Sequence, residues 1–261
     1  MASDDLGSAV NDDLIPKKKV GIFAPRAIVD DIPWEFYKLA PRGIMAVIVP
    51  LGLTRFVKEE VERVYAPVDD QLKQLMLRRV DLLVQSGVPL QCLIGAEAHD
   101  RRLALFREKT GLPATSGILG AIAACRKLGI RKIAFGNKFT EAINQSLSRF
   151  FTREGIQVTG YTKWDPTVDI VDGSAIKQIN EAGLIRIGYE VGRKTFLDNP
   201  DCDGIYMPGG SWSLNQVVTD LEAEFGKPVL GHHLVNVWNI ATHLGLWTPR
   251  QGLGRLYASP A

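Results

Sequence analysis

Residues 204–210 read GIYMPGG, in which an apolar run ends at once in a turn of one proline and two glycines. Apolar runs without polar alternation are typical of strands that are buried in a parallel sheet. The same pattern occurs at residues 82–89, LLVQSGVP, where an apolar run also ends in a glycine turn. The two stretches therefore predict two buried strands in equivalent positions.

The segments around these strands also recur in the same order. A basic pair precedes an apolar strand in KKKVGIFAP (17–25) and in IRKIAFGN (130–137), and a Gly-x-Pro lead-in opens GLPATSG (111–117) and GKPVLGH (226–232). Helix-forming segments lie between the strands, over residues 34–41, 59–84, 99–109 and 117–128. Alternating strands and helices predict parallel sheets, with ligands bound beyond the carboxyl ends of the strands.

We therefore predict an α/β protein with two similar parallel-sheet halves, related by a pseudo-twofold axis, and a site in the cleft between them. The predicted organisation is a flexible tail over residues 1–16, a first half over 17–130, a second half over 131–247, and a C-terminal tail over 248–261 that can return to the first half.

Composition and charge narrow the class of partner. The chain has 261 residues, of which 46% are hydrophobic and 23% charged, which is enough to bury a sizeable core. A net charge of +2 with scattered basic residues gives no electrostatic footprint for nucleic acid. The cysteines lack paired or metal-type spacing, which favours a reducing compartment and predicts a cytoplasmic protein. No apolar run approaches the roughly 18 to 20 residues that cross a bilayer, so we predict a small-molecule partner and no membrane.

Several common catalytic motifs are absent from the sequence. It contains neither a G-x-G-x-x-G fingerprint nor a GK[ST] phosphate loop. It also contains neither a G-x-S-x-G elbow nor an H-E-x-x-H pair. Nucleotide-dependent enzymes, serine hydrolases and zinc proteases of the usual kinds are therefore disfavoured.

The segments quoted above resemble a known group of enzymes. VGIFAPR, LVQSGVPL with the following HDRRLALFREKTGLPATSG, GIRKIAFGNKFTEAINQSLSRFFTREGIQV, and GIYMPGG with GKPVLGHHLVNVWN are similar to the aspartate/glutamate racemase superfamily. The branch that they resemble most contains arylmalonate decarboxylase and maleate cis-trans isomerase, and the resemblance covers roughly residues 17–247. It implies an enzyme that works without metal or organic cofactor, in a cleft where backbone amides and hydroxyls hold a substrate carboxylate.

The resemblance also implies where reactive thiols would lie. In the racemases and isomerases of this superfamily, one cysteine from each half moves a proton at the substrate carbon or adds to a double bond. The matching positions here are Gly87, which is also glycine in the decarboxylases, and Pro208. Because proline carries no titratable atom, the resemblance implies that both thiols are lost.

Other residues fall at the turns that line the cleft in the superfamily. Arg26 could hold a substrate carboxylate through two parallel hydrogen bonds, or remain a solvated loop cation. Asn137 and Phe139 stand where relatives carry a threonine and a carboxylate-binding tyrosine, so the tyrosine contact is lost. The remaining predicted substrate-binding residues are Gly87, Val88, Thr115, Ser116, Gly209, Gly210 and Ser211. Trp34 and Trp212 could shape the pocket for an aromatic or cyclic substrate.

His232 and His233 follow the strand in GKPVLGH, where relatives have serine or asparagine. Histidine is suited to acid and base catalysis near neutral pH, so we predict both as catalytic residues. The alternative is one core histidine and one exposed histidine. A metal site that adds Glu97 and His99 is disfavoured, because adjacent histidines rarely bind one ion with good geometry. The predicted site therefore contains no metal.

The sequence-based hypothesis is a cofactor-independent lyase or isomerase, decarboxylase-like, that acts on a small carboxylate and uses histidine instead of cysteine as its proton-transfer group. A hydrolase or hydratase of a small cyclic or unsaturated carbonyl compound, working through histidine-activated water, remains open. A non-catalytic protein that binds a small carboxylate also remains open. We further predict a homo-oligomer.

Overall fold

A computed structural model of the chain describes residues 15–164, 181–210 and 212–260. The predicted tail over 1–16 lies almost entirely outside these residues, and so does Ser211. The strands are β1 (Lys18–Arg26), β2 (Ile44–Leu53), β3 (Leu82–Gln85), β4 (Ala114–Ser116), β5 (Lys132–Asn137), β6 (Gln157–Lys163), β7 (Gly204–Met207) and β8 (Val229–Gly231).

The helices alternate with these strands along the chain, as the sequence pattern predicts. They are α1 (Asp31–Leu39), α2 (Glu59–Tyr65), α3 (Val68–Leu77), α4 (Val88–Ile94), α5 (Ala96–Thr110), α6 (Gly117–Lys127), α7 (Glu141–Arg153), α8 (Glu181–Asp198), α9 (Asn215–Phe225), α10 (His232–His243) and α11 (Gly254–Ala258).

The strands form two four-stranded parallel sheets of the same topology. The first sheet has the order β2-β1-β3-β4 and the second has the order β6-β5-β7-β8. All the paired strands run parallel, and the residues of β3 and β7 are buried throughout. The predicted α/β fold with two similar parallel sheets is confirmed. Because the order of strands is the same, the β3 turn at Gly87 and the β7 turn at Gly209 occupy equivalent places.

The helix predicted over residues 59–84 is wrong as a single element. The structure instead has α2 and α3, separated at Pro67, and then β3. Pro67 lacks a backbone N–H and caps the start of α3, which interrupts a continuous helix. Arg79, with a φ of 55°, follows the end of α3, and Leu82, Leu83 and Val84 then pair with β1. The apolar residues at the end of this segment therefore belong to the sheet.

The two sheets are joined through closely packed helices. Between α6 and α10 the approach is tight, because a Cβ atom on Gly120 would lie only 3.0 Å from Asn239 Cβ. The segment that follows α10 packs against α1 of the first half, where Arg250 Nη1 donates to the carbonyl oxygen of Leu39 over 2.8 Å. The exact limits assigned to the halves and to the C-terminal tail stay predictions. None of the described helices is both long and apolar enough to cross a bilayer.

Candidate active site

A cavity of about 910 Å³ lies at the carboxyl ends of the strands and is lined by both halves. The first half contributes the turns after β1 and β3 together with α1, and the second half contributes the turns after β5 and β7 and the start of α10. Its apolar lining includes Trp34, Phe56, Phe139, Ile143 and Trp212. The cavity is large enough for a carboxylate that carries a ring or a similar apolar group.

Lys138 enters the cavity from the turn between β5 and α7. This turn is held rigidly by its neighbours: Asn137 Oδ1 accepts from the backbone N–H of Phe139 over 2.8 Å, and Asn137 Nδ2 donates to Asn144 Oδ1 over 2.7 Å. Asn144 Nδ2 in turn donates to the carbonyl oxygen of Phe139 over 3.3 Å. The amide network therefore fixes the backbone from which the Lys138 side chain extends.

The amine of Lys138 is buried, and its Nζ has no hydrogen-bond partner among the described residues. The Nζ atom lies 4.4 Å from the centre of the Trp212 ring. Burial lowers the pKa of Lys138 well below its usual range and the positive charge of Arg26 lowers it further, while the Asp31 carboxylate opposes the shift. The environment of Lys138 therefore favours the neutral amine over the ammonium form more than water does.

His232 begins α10 and also lines the cavity. Its Nε2 lies 3.1 Å from Asn236 Nδ2, which donates to it, whereas its buried Nδ1 has no partner among the described residues. Burial lowers the pKa of His232 well below its ordinary value, and the charges of His233, Lys138 and Arg26 add to this shift. His232 is therefore neutral near neutral pH, and with Nε2 as acceptor its proton lies on Nδ1.

Trp212 provides a third buried N–H group at this cavity. Its Nε1 has no partner among the described residues, and it lies so close to the β7 turn that a Cβ atom on Gly209 would be 3.4 Å away. Of the ten buried side-chain atoms without a partner in the described chain, the three that belong to cavity-lining residues are Lys138 Nζ, Trp212 Nε1 and His232 Nδ1. All three are nitrogens that can donate, so we call this set the donor cluster. Such a set fits a ligand with negatively charged or carbonyl oxygens.

The acidic residues of the lining are engaged within the protein. Asp31 Oδ2 pairs with Arg26 over 2.9 Å, and Asp30 Oδ1 accepts from the backbone N–H of Asp31. The Glu35 carboxylate accepts from Ser213 over 3.2 Å and from Asn215 over 2.9 Å, which ties α1 to the second half. The negative charges are therefore partly compensated, and the guanidinium of Arg26 lies near enough to lower the pKa values of Lys138 and His232.

The structure brings seven of the predicted site residues to the cavity. These residues are Arg26, Gly87, Val88, Phe139, Gly209, Gly210 and His232. Trp34 and Trp212 line it as well. At Gly87 the backbone has a φ of 84°, and a Cβ atom would lie 2.5 Å from Pro25 Cγ. Any side chain at this position, a cysteine included, would therefore collide with the Pro25 ring.

Four predicted residues do not line the cavity. Thr115 Oγ1 accepts from Asn239 Nδ2 over 3.1 Å, and Ser116 Oγ lies 2.9 Å from His99 Nε2. The amide of Asn137 belongs to the turn network described above. His233 Nε2 lies 2.8 Å from the carbonyl oxygen of Gly210, and its ring does not line the cavity. The predicted substrate contacts of Thr115, Ser116 and Asn137 and the catalytic role of His233 therefore lack support from their placement.

The cysteines and the candidate metal ligands also lie elsewhere. Cys92, Cys125 and Cys202 are buried, and none of them lines the cavity. Burial raises the pKa of the Cys125 thiol to about 12, so this thiol stays protonated. Glu97 is exposed, whereas His99 is fully buried and bonds to Ser116. Within the described residues, no group of three or more histidine, cysteine or acidic side chains is arranged to hold a metal ion.

Sequence reasoning missed four polar residues that line the cavity, which are Asp31, Glu35, Ser86 and Lys138. Lys138 stands between two residues that the resemblance singles out, in a turn directly after a buried parallel strand. A basic residue at that position, where ligands bind in parallel α/β sheets, was the signal that could have found it.

Comparison with known proteins agrees with this architecture. A sequence profile of the arylmalonate decarboxylase family matches residues 20–257. The chain is 25% identical to arylmalonate decarboxylase from Bordetella bronchiseptica over 239 residues, which cover 91% of this chain and 95% of that protein. A crystal structure of arylmalonate decarboxylase has a TM-score of 0.77 at 23% identity, covering 92% of this chain and 98% of that one.

A second solved structure has the same fold at lower sequence identity. It is a cysteine-to-serine variant of maleate cis-trans isomerase from Nocardia farcinica with a covalently bound succinylcysteine intermediate, with a TM-score of 0.79 at 14% identity, covering 94% of this chain and 99% of that one. The profile match spans nearly the whole chain and both sheets. This chain belongs to the arylmalonate decarboxylase family.

Proposed function

We propose that this chain is a cofactor-independent decarboxylase of small malonate-type carboxylates that carry an apolar substituent. The observation that carries the proposal is the donor cluster of Lys138, Trp212 and His232, three residues that line one cavity and whose buried N–H groups have no hydrogen-bond partner among the described residues. Membership of the arylmalonate decarboxylase family supports the reaction type. The aromatic lining supports a substrate whose substituent is a ring or another apolar group.

Decarboxylation of a malonate breaks one carbon–carboxylate bond and releases carbon dioxide. The electron pair is left on the central carbon and spreads into the remaining carboxylate as an enediolate. Donors that are held in place before the reaction stabilise this developing charge without having to reorganise, which is the main way in which enzymes lower such barriers. In this chain we assign that task to His232 Nδ1–H and Trp212 Nε1–H.

A proton must then be added to the carbon. Our sequence-based hypothesis gave this step to histidine, and of the two candidates only His232 lines the cavity. Because its lowered pKa keeps His232 neutral, it is a better hydrogen-bond donor than proton donor. The ammonium form of Lys138, whose pKa is shifted towards neutrality, is a stronger acid than an ordinary lysine. We therefore propose Lys138 as the proton donor, with solvent restoring its proton after each turnover.

The isomerase alternative has less support in this chain. The maleate isomerase from Nocardia farcinica has been captured as a succinylcysteine, in which a thiol is joined to the substrate. In the described residues of this chain no cysteine lines the cavity. Isomerisation by thiol addition therefore lacks its nucleophile, whereas decarboxylation needs only charge stabilisation and a proton.

The hydrolase alternative requires a histidine that is oriented by a carboxylate and faces the cavity. Such a pair does exist, because His99 Nδ1 lies 3.1 Å from Asp100 Oδ1, but His99 does not line the cavity. His232 is oriented by an amide and His233 by a backbone carbonyl. Activation of water by histidine therefore has less support than decarboxylation.

The test is turnover of a panel of malonates that carry phenyl, alkenyl or alkyl substituents at the central carbon. Incubation in heavy water, followed by mass spectrometry, should show loss of carbon dioxide and one deuterium in the product. Maleate and small lactones in the same panel detect isomerase or hydrolase activity. Binding of the malonates without any turnover would instead identify a carboxylate-binding protein and contradict the proposal.

The assembly, the compartment and the domain limits belong to the same proposal. We propose a homo-oligomer that works in the cytoplasm, with a boundary between the halves near residue 130. Light scattering during gel filtration measures the mass of the particle directly. A particle of the mass of one 28.8 kDa chain would contradict the oligomer.

A further inference from the structure

The amine of Lys138 is in an unusual state for a structural lysine. Surface lysines hold their ammonium group in water, and buried lysines normally pair with a carboxylate. Lys138 does neither, because its Nζ is buried and has no hydrogen-bond partner in the described chain, although the residue lines a cavity of about 910 Å³. Packing gains little from such a group, so its position points to a chemical role.

The surroundings of Lys138 favour a free amine. The guanidinium of Arg26 lies close enough for its charge to disfavour the ammonium form, and Asp31, the acidic group that opposes this effect, is itself bonded to Arg26. The face of the Trp212 ring, whose centre lies 4.4 Å from Nζ, opposes this effect because it attracts the ammonium form, whereas His232 lines the same cavity as a neutral imidazole and adds no negative charge. A desolvated lysine beside another cation is the arrangement that makes a lysine nucleophilic.

We propose that Lys138 is a nucleophile that forms an imine with 3-oxo carboxylates, and that the cavity decarboxylates them through this imine. A 3-oxo acid presents two groups that match the site. Its carboxylate suits the positive charge of Arg26, and its carbonyl oxygen suits the N–H groups of His232 and Trp212. The carbonyl carbon is then left to face the amine. This activity does not require that malonates are substrates.

The steps balance without any added oxidant, reductant or cofactor. The Nζ lone pair of Lys138 forms a bond to the carbonyl carbon, and the carbonyl oxygen leaves as water after taking up protons, which gives an iminium ion. The bond to the carboxylate then breaks, carbon dioxide leaves, and the electron pair moves towards the iminium nitrogen to form an enamine. A proton adds to the carbon, and water hydrolyses the new iminium to release the ketone and the amine.

The test is reductive trapping on the full chain, with 3-oxobutanoate as the probe and sodium borohydride as the reductant. Reduction of the iminium that remains after decarboxylation should leave an isopropyl group on Lys138, which intact-mass measurement and peptide mapping identify. Pyruvate, a 2-oxo acid that cannot lose carbon dioxide by this route, should leave a carboxyethyl group on the same residue. Trapping should increase with pH as the amine loses its proton.

Two variants make the result specific. Lys138→Arg keeps the positive charge but cannot form an imine, and it should lose the adduct completely. Lys73→Arg alters an exposed lysine that pairs with Asp70, and it should trap as well as the wild type. Labelling that is spread over surface lysines and unchanged in Lys138→Arg would overturn the inference. Trapping at Lys138 without malonate turnover would support this inference and reject the proposed function. Malonate turnover without trapping at Lys138 would support the proposed function and reject this inference.

Discussion

The turns at the carboxyl ends of the strands occur in the same order in the two sheets, but their polar side chains differ in whether they have hydrogen-bond partners. In the first half, Thr115 bonds to Asn239, Ser116 bonds to His99, and Gly87 packs against the Pro25 ring. In the second half, the nitrogens of the donor cluster of Lys138, Trp212 and His232 are buried and have no hydrogen-bond partner within the part of the chain that the structure describes. The two halves therefore have the same topology but contribute different kinds of groups to the cavity. In the first half these polar side chains bond to other parts of the protein, and the second half contributes the buried N–H groups of the donor cluster.

The largest expected effect comes from Lys138→Met, which removes the amine and keeps an apolar chain of similar length. If Lys138 donates the proton, kcat/KM for a malonate substrate should fall about 10²–10⁴-fold. The free energy of unfolding should rise, because the variant no longer buries an amine without a partner. Steady-state kinetics and thermal melting measure the two effects. Normal kinetics in Lys138→Met would show that the amine of Lys138 is not catalytic.

The pH dependence of stability provides an independent readout for Lys138. Its pKa in the folded chain lies below the value of about 10.4 expected in the unfolded chain. Between these two values the unfolded chain binds the extra proton, so the free energy of unfolding rises with pH across this window. Lys138→Met removes that contribution, so its stability advantage over the wild type should shrink as the pH approaches about 10.4. An advantage that is constant with pH would contradict the assigned burial of the amine.

The adjacent histidines provide the next test. His232→Ala removes an N–H donor of the cavity, and we expect kcat to fall about 10²–10³-fold, as for the loss of one oxyanion donor. His233→Ala removes a bond to the Gly210 carbonyl outside the cavity lining, and its effect on kcat should be much smaller. Kinetics of the two variants under the same conditions decide between them. The opposite ranking would restore His233 as the functional histidine.

A smaller effect, on stability, is expected from Gly87→Ala on the first-half side. The substitution forces a side chain into a φ of 84° and against Pro25, so the free energy of unfolding should fall by about 1–3 kcal/mol. Gly111→Ala is the control, because Gly111 is also left-handed, with a φ of 70°, but nothing lies within 4 Å of its Cβ position. Chemical denaturation measures both variants. Equal losses in the two would show that the Pro25 contact costs nothing.

The smallest effect is expected from Thr115→Val. Asn239 loses the hydroxyl to which it donates, which should cost about 1 kcal/mol of stability. Activity should remain within about twofold, since the Thr115 hydroxyl does not reach the cavity. Denaturation and kinetics of the same preparation test both statements. A large loss of activity with unchanged stability would place Thr115 at the substrate and remove the contrast between the halves.

The sequence predicted the sheets better than the site, for physical reasons. Buried parallel strands leave a strong local signal, since their residues are apolar without interruption, as in β3 and β7. The direction of a polar side chain leaves no such signal. His232 and His233 are neighbours in the same helix, yet one lines the cavity and the other bonds to Gly210. The single helix predicted over 59–84 was wrong mainly because helix-forming residues on both sides of Pro67 hide the break between α2 and α3.

The contact between Gly87 and the Pro25 ring also constrains how this chain could evolve or be engineered towards racemisation. The Cβ atom of a cysteine at position 87 would lie 2.5 Å from Pro25 Cγ, so the cysteine is harmful while the proline is present. Once Pro25 is replaced by a smaller or more adaptable residue, the same cysteine is tolerated more easily. The two substitutions are therefore epistatic, and their order matters.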